Sequence, residues 1–538
     1  MNVGGAKVIT TLRDWQEIEQ EIREMLHARS ESEFSGQAQR VAARGEPVIP
    51  VILRNLDQSD PRLLSVLGAV ASFYPDQPLI LDKLHRAAAD ISRPDRGRLA
   101  AMLIMERFLG QEPDPYLVET LNDPQTMAIE SVREMVREGE RDPMALIEYT
   151  GALADQSEET FRNVIETLVE VEGERAVPVL CLLAQEQQDA LAQAALDALG
   201  RLSHPRAVQG LQSVLSMLRP ALRPLAERSL LKLRLKQVPI AAPPPMDERW
   251  RALVSPIDGE GVQTVWFIQE ADQQGVCRFL GMTISDSQGI AQAYGRYDVP
   301  ATGLPRRLPM GRLHRISLSG VTPAQAGEHQ VPNRRSWRHE ADPVLLLLEA
   351  DLEYGRRLAQ AGQESTLQQQ RPLPVEYRLL GSMLWQYGDP AAATGRPSSG
   401  APESKPDLLP VTADLLAYPA FQGWFVRGDL AVRHAATMMQ WTPTVFLEGV
   451  RSWAVALARA HFGPAALRQL RVRLEAMEEW LWRAGEIHLA ELTACVAATV
   501  TTTPPEQHPF TLRMAELGLY AVLEQAQPDQ ENRGKKEE

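Results

Sequence analysis

Cysteine is nearly missing from this chain, with three among 538 residues. Cys181, Cys277 and Cys495 stand far apart and are odd in number, so they form no visible disulfide framework and no paired-cysteine metal module. That usage fits a reducing compartment. Long apolar runs are missing too. The most apolar stretches, "PVLLLLEA" and "ELTACVAATV", fall well short of the roughly 18 residues needed to span a bilayer. The opening "MNVGGAKVITTLRDWQEIEQ" has no charged start followed by an apolar run, which argues against a cleaved secretory leader. A cytoplasmic protein without membrane contact is expected.

Positive charge is scarce. Lys and Arg number 56 against 70 Asp and Glu, a formal net charge of −14, with a sequence pI near 5.4. This balance argues against a general nucleic-acid coat, because phosphate neutralisation needs a concentrated positive surface. Familiar chemical motifs are absent as well. There is no Walker phosphate loop and no G-x-S-x-G nucleophile turn. "RHEAD" supplies His339 and Glu340, but Pro343 stands where a metalloprotease helix needs its second histidine. "DGEG" supplies Gly259 and Gly261, with Thr264 in place of the third glycine of a dinucleotide turn, so a hairpin turn is the better reading. No catalytic residue, cofactor or metal is assigned. An enzyme with an unrecognised site stands as the third functional reading.

What is present begins with size. The chain is too long for one hydrophobic core, so two to four domains are expected. The first 240 or so residues repeat a phrase: "GEPVIPVILRNL", "GERAVPVLCLLA" and "HPRAVQGLQSVL". Aligning Val177 with Val208 gives a step of 31 residues, and intermediate copies begin at Asp76, Asp114 and Asp142. Such a period marks stacked units. Each unit reads as two helices, with Asp60 and Pro61 as cap and first position of one and Gly200 at the end of another. A single pair cannot bury its apolar face, whereas stacking neighbours buries a continuous core.

"NLDQSDPRLL" and "ALGRLSHPRAVQGL" resemble HEAT repeats of the short bacterial type over about residues 30 to 236. The resemblance implies an α-solenoid of about six helical pairs over residues 1–238, and the interaction-scaffold role common among such proteins. Between Glu106 and Asp189 acidic residues outnumber basic ones, in runs such as "EGERD" and "VEVEGER". That stretch reads either as solvated helix surface or as an acidic face that receives a basic protein partner.

The prolines of residues 239–247 stop the helical repeat and form a linker. Residues 248–387 read as an α+β middle domain. "WRALVSPID", "VQTVWFIQEA" and "VCRFLGMTIS" give a three-stranded antiparallel meander, followed by a helix at "DSQGIAQAYGRY". A basic segment then runs from residue 296 to 339. Its candidate contact residues are Arg306, Arg307, Arg312, Arg315, Arg334, Arg335, Trp337 and Arg338, with His314 among them. Guanidinium forks suit phosphate or carboxylate, and tryptophan offers a stacking face. The segment therefore reads as an electrostatic contact surface, docked on the acidic helices or exposed. A nucleic-acid or phosphate-ligand site is the alternative.

"DPVLLLLEADLEYGRRLAQAG" reads as a helix capped by Asp342 with Pro343 first. A linker at 388–410 precedes an α-helical domain at 411–526, and residues 527–538 read as a disordered tail. Leu467, Leu470, Leu474, Met477 and Leu481 make one apolar stripe. The expected fold is mainly α, with a small antiparallel sheet in the middle. The expected function is a non-enzymatic scaffold or adaptor that binds a protein partner along the helical repeat, in an oligomeric state the sequence leaves open.

Overall fold

A computed structural model describes residues 15–26, 31–58, 61–114, 116–117, 120–121, 124–239, 248–271, 275–317, 344–387, 406–427, 429, 431–433 and 443–534. The chain forms two compact units. The first comprises residues 1–137 with Glu170–Glu172, and the second comprises Glu138–Val169 and Gly173–Glu538.

The first unit is built of helices α1 (residues 15–25), α2 (Glu31–Ala42), α3 (Val48–Asn55), α4 (Pro61–Ser72), α5 (Gln77–Ala89) and α6 (Asp95–Leu109). Helix α4 begins at Pro61, whose missing N–H costs nothing at a first position. Asp60, its expected cap, lies outside the described residues. Asp76 caps α5 by accepting from Leu79 N at 3.1 Å. The core runs from Ile18 through Val51, Leu67 and Ile80 to Leu121. A buried arginine ties it together: Arg98 donates to the carbonyls of Ala88 and Thr120, both at 2.8 Å, and pairs with Asp95 at 3.2 Å.

Helix α7 (Pro124–Arg141) spans the boundary between the units. The second unit continues with α8 (Ala145–Ala154), α9 (Glu158–Glu172), α10 (Val177–Leu183), α11 (Asp189–Arg201), α12 (Pro205–Leu215) and α13 (Arg223–Leu235). Here α10 packs on α11 and α12, and α11 packs on α13. This helix-rich N-terminal part is compatible with an α-solenoid. Gly200 lies in the last turn of α11, one residue before its end at Arg201, and is buried there; an added Cβ would come within 2.8 Å of Ser229 Oγ on α13, so it also permits close helix contact. Ser229 in turn donates to Leu196 O at 3.0 Å.

The middle of the second unit is one six-stranded antiparallel sheet in the order β4-β3-β2-β1-β6-β5. Its strands are β1 (Trp250–Val254), β2 (Val262–Gln269), β3 (Val276–Ser285), β4 (Gly289–Pro300), β5 (Leu313–Ser317) and β6 (Val344–Ala350). The expected meander is its β1-β2-β3 portion. Two sequence expectations are corrected. "DSQGIAQAYGRY" is not a helix but a turn followed by most of β4, which pairs with β3 from Ser285↔Gly289 to Val276↔Pro300. Gly289 makes that turn at φ +74°, tucked so close to α14 (Leu352–Gln368) that a Cβ would sit 2.2 Å from Thr366 Oγ1. Likewise "VLLLLEA" is strand β6, and the following helix is capped by Asp351, which accepts from Tyr354 N at 2.7 Å. Asp342 and Pro343 lie outside the described residues. A short apolar run fits a helix or a central strand equally well, and here the open edge of β1 decides.

One sheet face carries the core of Leu253, Trp266, Ile268, Phe279, Leu304 and Leu347. The other receives α14, whose Gly355 lies against Ala252 and Phe267. Helices α15 (Val375–Leu380) and α16 (Ser382–Trp385) follow, and Arg378 reaches back to the helical stack, pairing with Glu186 at 2.7 Å. Residues 388–405 of the expected linker lie outside the described residues, and a 3-10 helix starts at Pro406. Then come α17 (Pro443–His461), α18 (Pro464–Arg483), α19 (Ile487–Thr499) and α20 (Pro509–Gly534). The α18 stripe of Leu467, Leu470, Leu474, Met477 and Leu481 is buried. Trp480 Nε1 and Arg473 join α18 to the sheet, at 2.8 Å to Val254 O and 2.6 Å to Asp286. Helix α20 runs on into the stretch 527–538 expected to be disordered. Its Gln- and Glu-rich end has fair helix propensity.

Candidate functional site

Strands β1, β6 and β5 lie side by side, and each contributes one charged or titratable residue to the same sheet face. Glu349 on β6 is fully buried, and Arg251 on β1 and His314 on β5 are buried beside it. The Arg251 guanidinium donates to Glu349 Oε2 at 2.9 Å, and His314 Nε2 lies 2.8 Å from the same oxygen. Burying two charges costs several kcal/mol per ion, and good geometry with further hydrogen bonds is needed to offset that. The further bonds come from one loop.

That loop is Pro305–Arg312, between β4 and β5. Leu308 N donates to Glu349 Oε2 at 3.2 Å, and the Arg251 guanidinium donates to Pro305 O. Gly311 N donates to Glu349 O at 2.9 Å, and Glu349 N donates to Arg312 O at 2.8 Å. Both ends of the loop are therefore fastened to Glu349 and Arg251. Gly311 has φ +81°, and a Cβ there would come within 2.9 Å of Arg483 O at the end of α18. The close approach and the left-handed backbone both call for glycine.

The fastened loop holds part of the sequence-predicted arginine set. Arg306, Arg307 and Arg312 on the loop and Arg315 on β5 are all exposed. Arg307 pairs with Glu270 at 3.2 Å. Arg306, Arg312 and Arg315 form no ion pair among the described residues. Arg334, Arg335, Trp337 and Arg338 lie outside the described residues. His314 belongs to the buried cluster instead of the surface. Arg296, at the start of the basic segment, pairs with Asp298 at 3.0 Å, and that hydrogen bond with the nearby Asp142 raises its pKa further.

No protein-family model matches this chain, and no curated protein resembles it significantly.

Sequence reasoning missed Arg251 and Glu349, the pair that orders the loop. Their signal was a charged residue inside an otherwise apolar strand, in "WRALV" and "LLLLEA". Such residues are almost never fully buried unless paired. Among the described residues no group of three or more His, Cys, Asp or Glu could hold a metal ion. No helix there is long and apolar enough to cross a membrane.

The acidic stretch supplies a second surface. On α8, at its C-cap and on α9, Glu148, Asp155, Glu158, Glu159 and Glu166 are exposed, while Phe161, Ile165 and Leu168 of α9 are buried. Ser157 caps α9, accepting from Thr160 N at 3.2 Å, and Glu158 and Glu159 in the first turn favour the helix dipole. Arg162 pairs with Glu158 at 2.7 Å, which leaves the acidic excess on the outer face.

Proposed function

We propose that this chain is a non-enzymatic scaffold or adaptor, a HEAT-like α-solenoid joined to a sheet-centred body, which binds a protein partner along its helical repeat. The carrying observation is helix α9. Its apolar residues Phe161, Ile165 and Leu168 are buried, which leaves Glu159 and Glu166 facing outward. Fixed like charges attract a basic surface and steer its approach, and they do so without chemistry. Repeated helical pairs suit that role because an extended surface forms from neighbours alone.

The test is affinity capture with the full chain, with and without nuclease, alongside the Glu148→Lys/Glu159→Lys/Glu166→Lys variant. A stoichiometric protein that survives nuclease, weakens as salt rises and is lost from the variant supports the reading. Capture that the variant leaves intact removes the acidic face from the mechanism. Capture that vanishes with nuclease overturns the scaffold reading.

A further inference from the structure

Buried ions are an expensive way to hold a sheet together, since an apolar trio of similar volume is often as stable or better. Glu349 and Arg251 do something an apolar trio would not do: they hydrogen-bond the backbone of Pro305–Arg312 at Pro305 O and Leu308 N. The main chain of Glu349 holds Gly311 and Arg312 as well. The cluster thus sets the loop's conformation. A loop fixed before binding loses less entropy when a partner arrives.

We propose that this loop, with Arg315 on the adjoining edge strand β5, is a preformed docking surface for a carboxylate-rich protein segment. Arg306, Arg312 and Arg315 supply exposed guanidiniums without ion-pair partners among the described residues. Met310, 55% exposed between them, supplies an apolar contact. Arginine and methionine together are enriched at protein interfaces, and methionine adapts its shape to a partner. A phosphate backbone makes no use of Met310. The surface is opposite in sign to the acidic face of α9, so it would engage a different kind of partner.

Binding is measured by fluorescence anisotropy on the full chain. Two labelled peptides of roughly 20 residues serve as ligands, polyglutamate and a Glu-rich peptide with leucine at every fourth position. A single-stranded oligonucleotide of equal formal charge is the third ligand. The expected result is saturable, salt-sensitive binding of both peptides, with the leucine-containing one tighter. Arg306→Glu/Arg312→Glu/Arg315→Glu should weaken both by about tenfold or more, as loss of several close charge contacts does. Met310→Ser should abolish the advantage of leucine. Charge reversal of Arg228, Arg471 and Arg513, exposed arginines outside the loop, should change little.

The positioning role has its own readout. In Glu349→Gln, the Leu308 amide, which donates to the Glu349 carboxylate, should lose hydrogen-exchange protection as peptide affinity falls, with the arginines still in place. If that variant does not fold, His314→Asn carries the same measurement. Peptide binding that ignores the triple reversal overturns the proposal. Tighter binding of the oligonucleotide than of either peptide also overturns it, and reassigns the loop to phosphate.

Discussion

Lys232 reaches Asp197, 35 positions earlier in the chain, at 3.4 Å. Arg175 reaches Glu140 across the same interval at 2.6 Å, and Arg201 comes to 3.9 Å from Glu166, again with 201 − 166 = 35. The sequence step between Val177 and Val208 is 31 residues. The extra four residues amount to about one helical turn. In each of the three pairs a cation later in the chain reaches an acid about one helical turn beyond the 31-residue step.

These pairs are exposed, so they mark register more than they hold it. Asp197→Ala or Lys232→Ala should shift unfolding stability by no more than about 0.2–1 kcal/mol, and less at high salt. Urea denaturation at two ionic strengths checks this. A larger, salt-independent loss would mean that the pair does more than mark register.

Glu349 and Arg251 should behave in the opposite way. Removing either charge leaves the other buried without its partner. Glu349→Leu or Arg251→Met alone should then cost about 3–5 kcal/mol. Both together should recover most of that loss, since the uncompensated charge is gone. Chemical denaturation of the two single variants and the double gives the coupling directly.

Gly289 makes a tight turn in the sheet, at φ +74° with Thr366 Oγ1 and Gly362 O inside the reach of any Cβ. Gly289→Ala therefore meets two penalties, a left-handed backbone and a clash with α14. The expected cost is about 1–3 kcal/mol or more. Gly275 has a similar φ of +79° and nothing within 4 Å, so Gly275→Ala isolates the backbone penalty. Thermal melts of the two variants should rank Gly289→Ala as the more damaged.

His508 is buried with a depressed pKa, pushed down to about 4 by desolvation. Its Nδ1 accepts from Phe510 N at 3.2 Å, so that nitrogen carries no proton in the fold. Thr499 Oγ1 lies 3.0 Å from Nε2. Because the folded value lies below the ordinary 6.5, the unfolded chain takes up the proton first as pH falls. The stabilisation is complete above about pH 6.5 and is lost as pH drops toward 4, by on the order of 2–3 kcal/mol. Melting temperatures of the protein and of His508→Gln between pH 7.5 and 4.5 check it. The variant should show the flatter profile over that window.

Much of the helical architecture was legible because its cause is local. Pro61, Asp76 and Ser157 begin helices through their own backbone and side-chain chemistry. The α18 stripe is buried because alternating steps of three and four put its residues on one side. The arginines were visible as charge in an acidic chain. The two strand errors have a common source. β4 and β6 are defined by hydrogen bonds to strands far away in sequence or by the turn that precedes them, and neither appears in a short window of residues.

By itself, then, the sequence determined the helix-rich N-terminal part, the excess of acid on α8 and α9, and the arginines in an acidic chain, since helix pattern, caps and charge are properties of neighbours along the chain. Tertiary structure alone decided that β6 enters between β1 and β5, which brings Glu349 together with Arg251, 98 residues away, and His314, 35 residues away. The buried ion pair then needs backbone partners from Pro305–Arg312, Pro305 O accepting from Arg251 and Leu308 N donating to Glu349, to offset its desolvation. A loop that composition could merely call basic acquired a fixed shape.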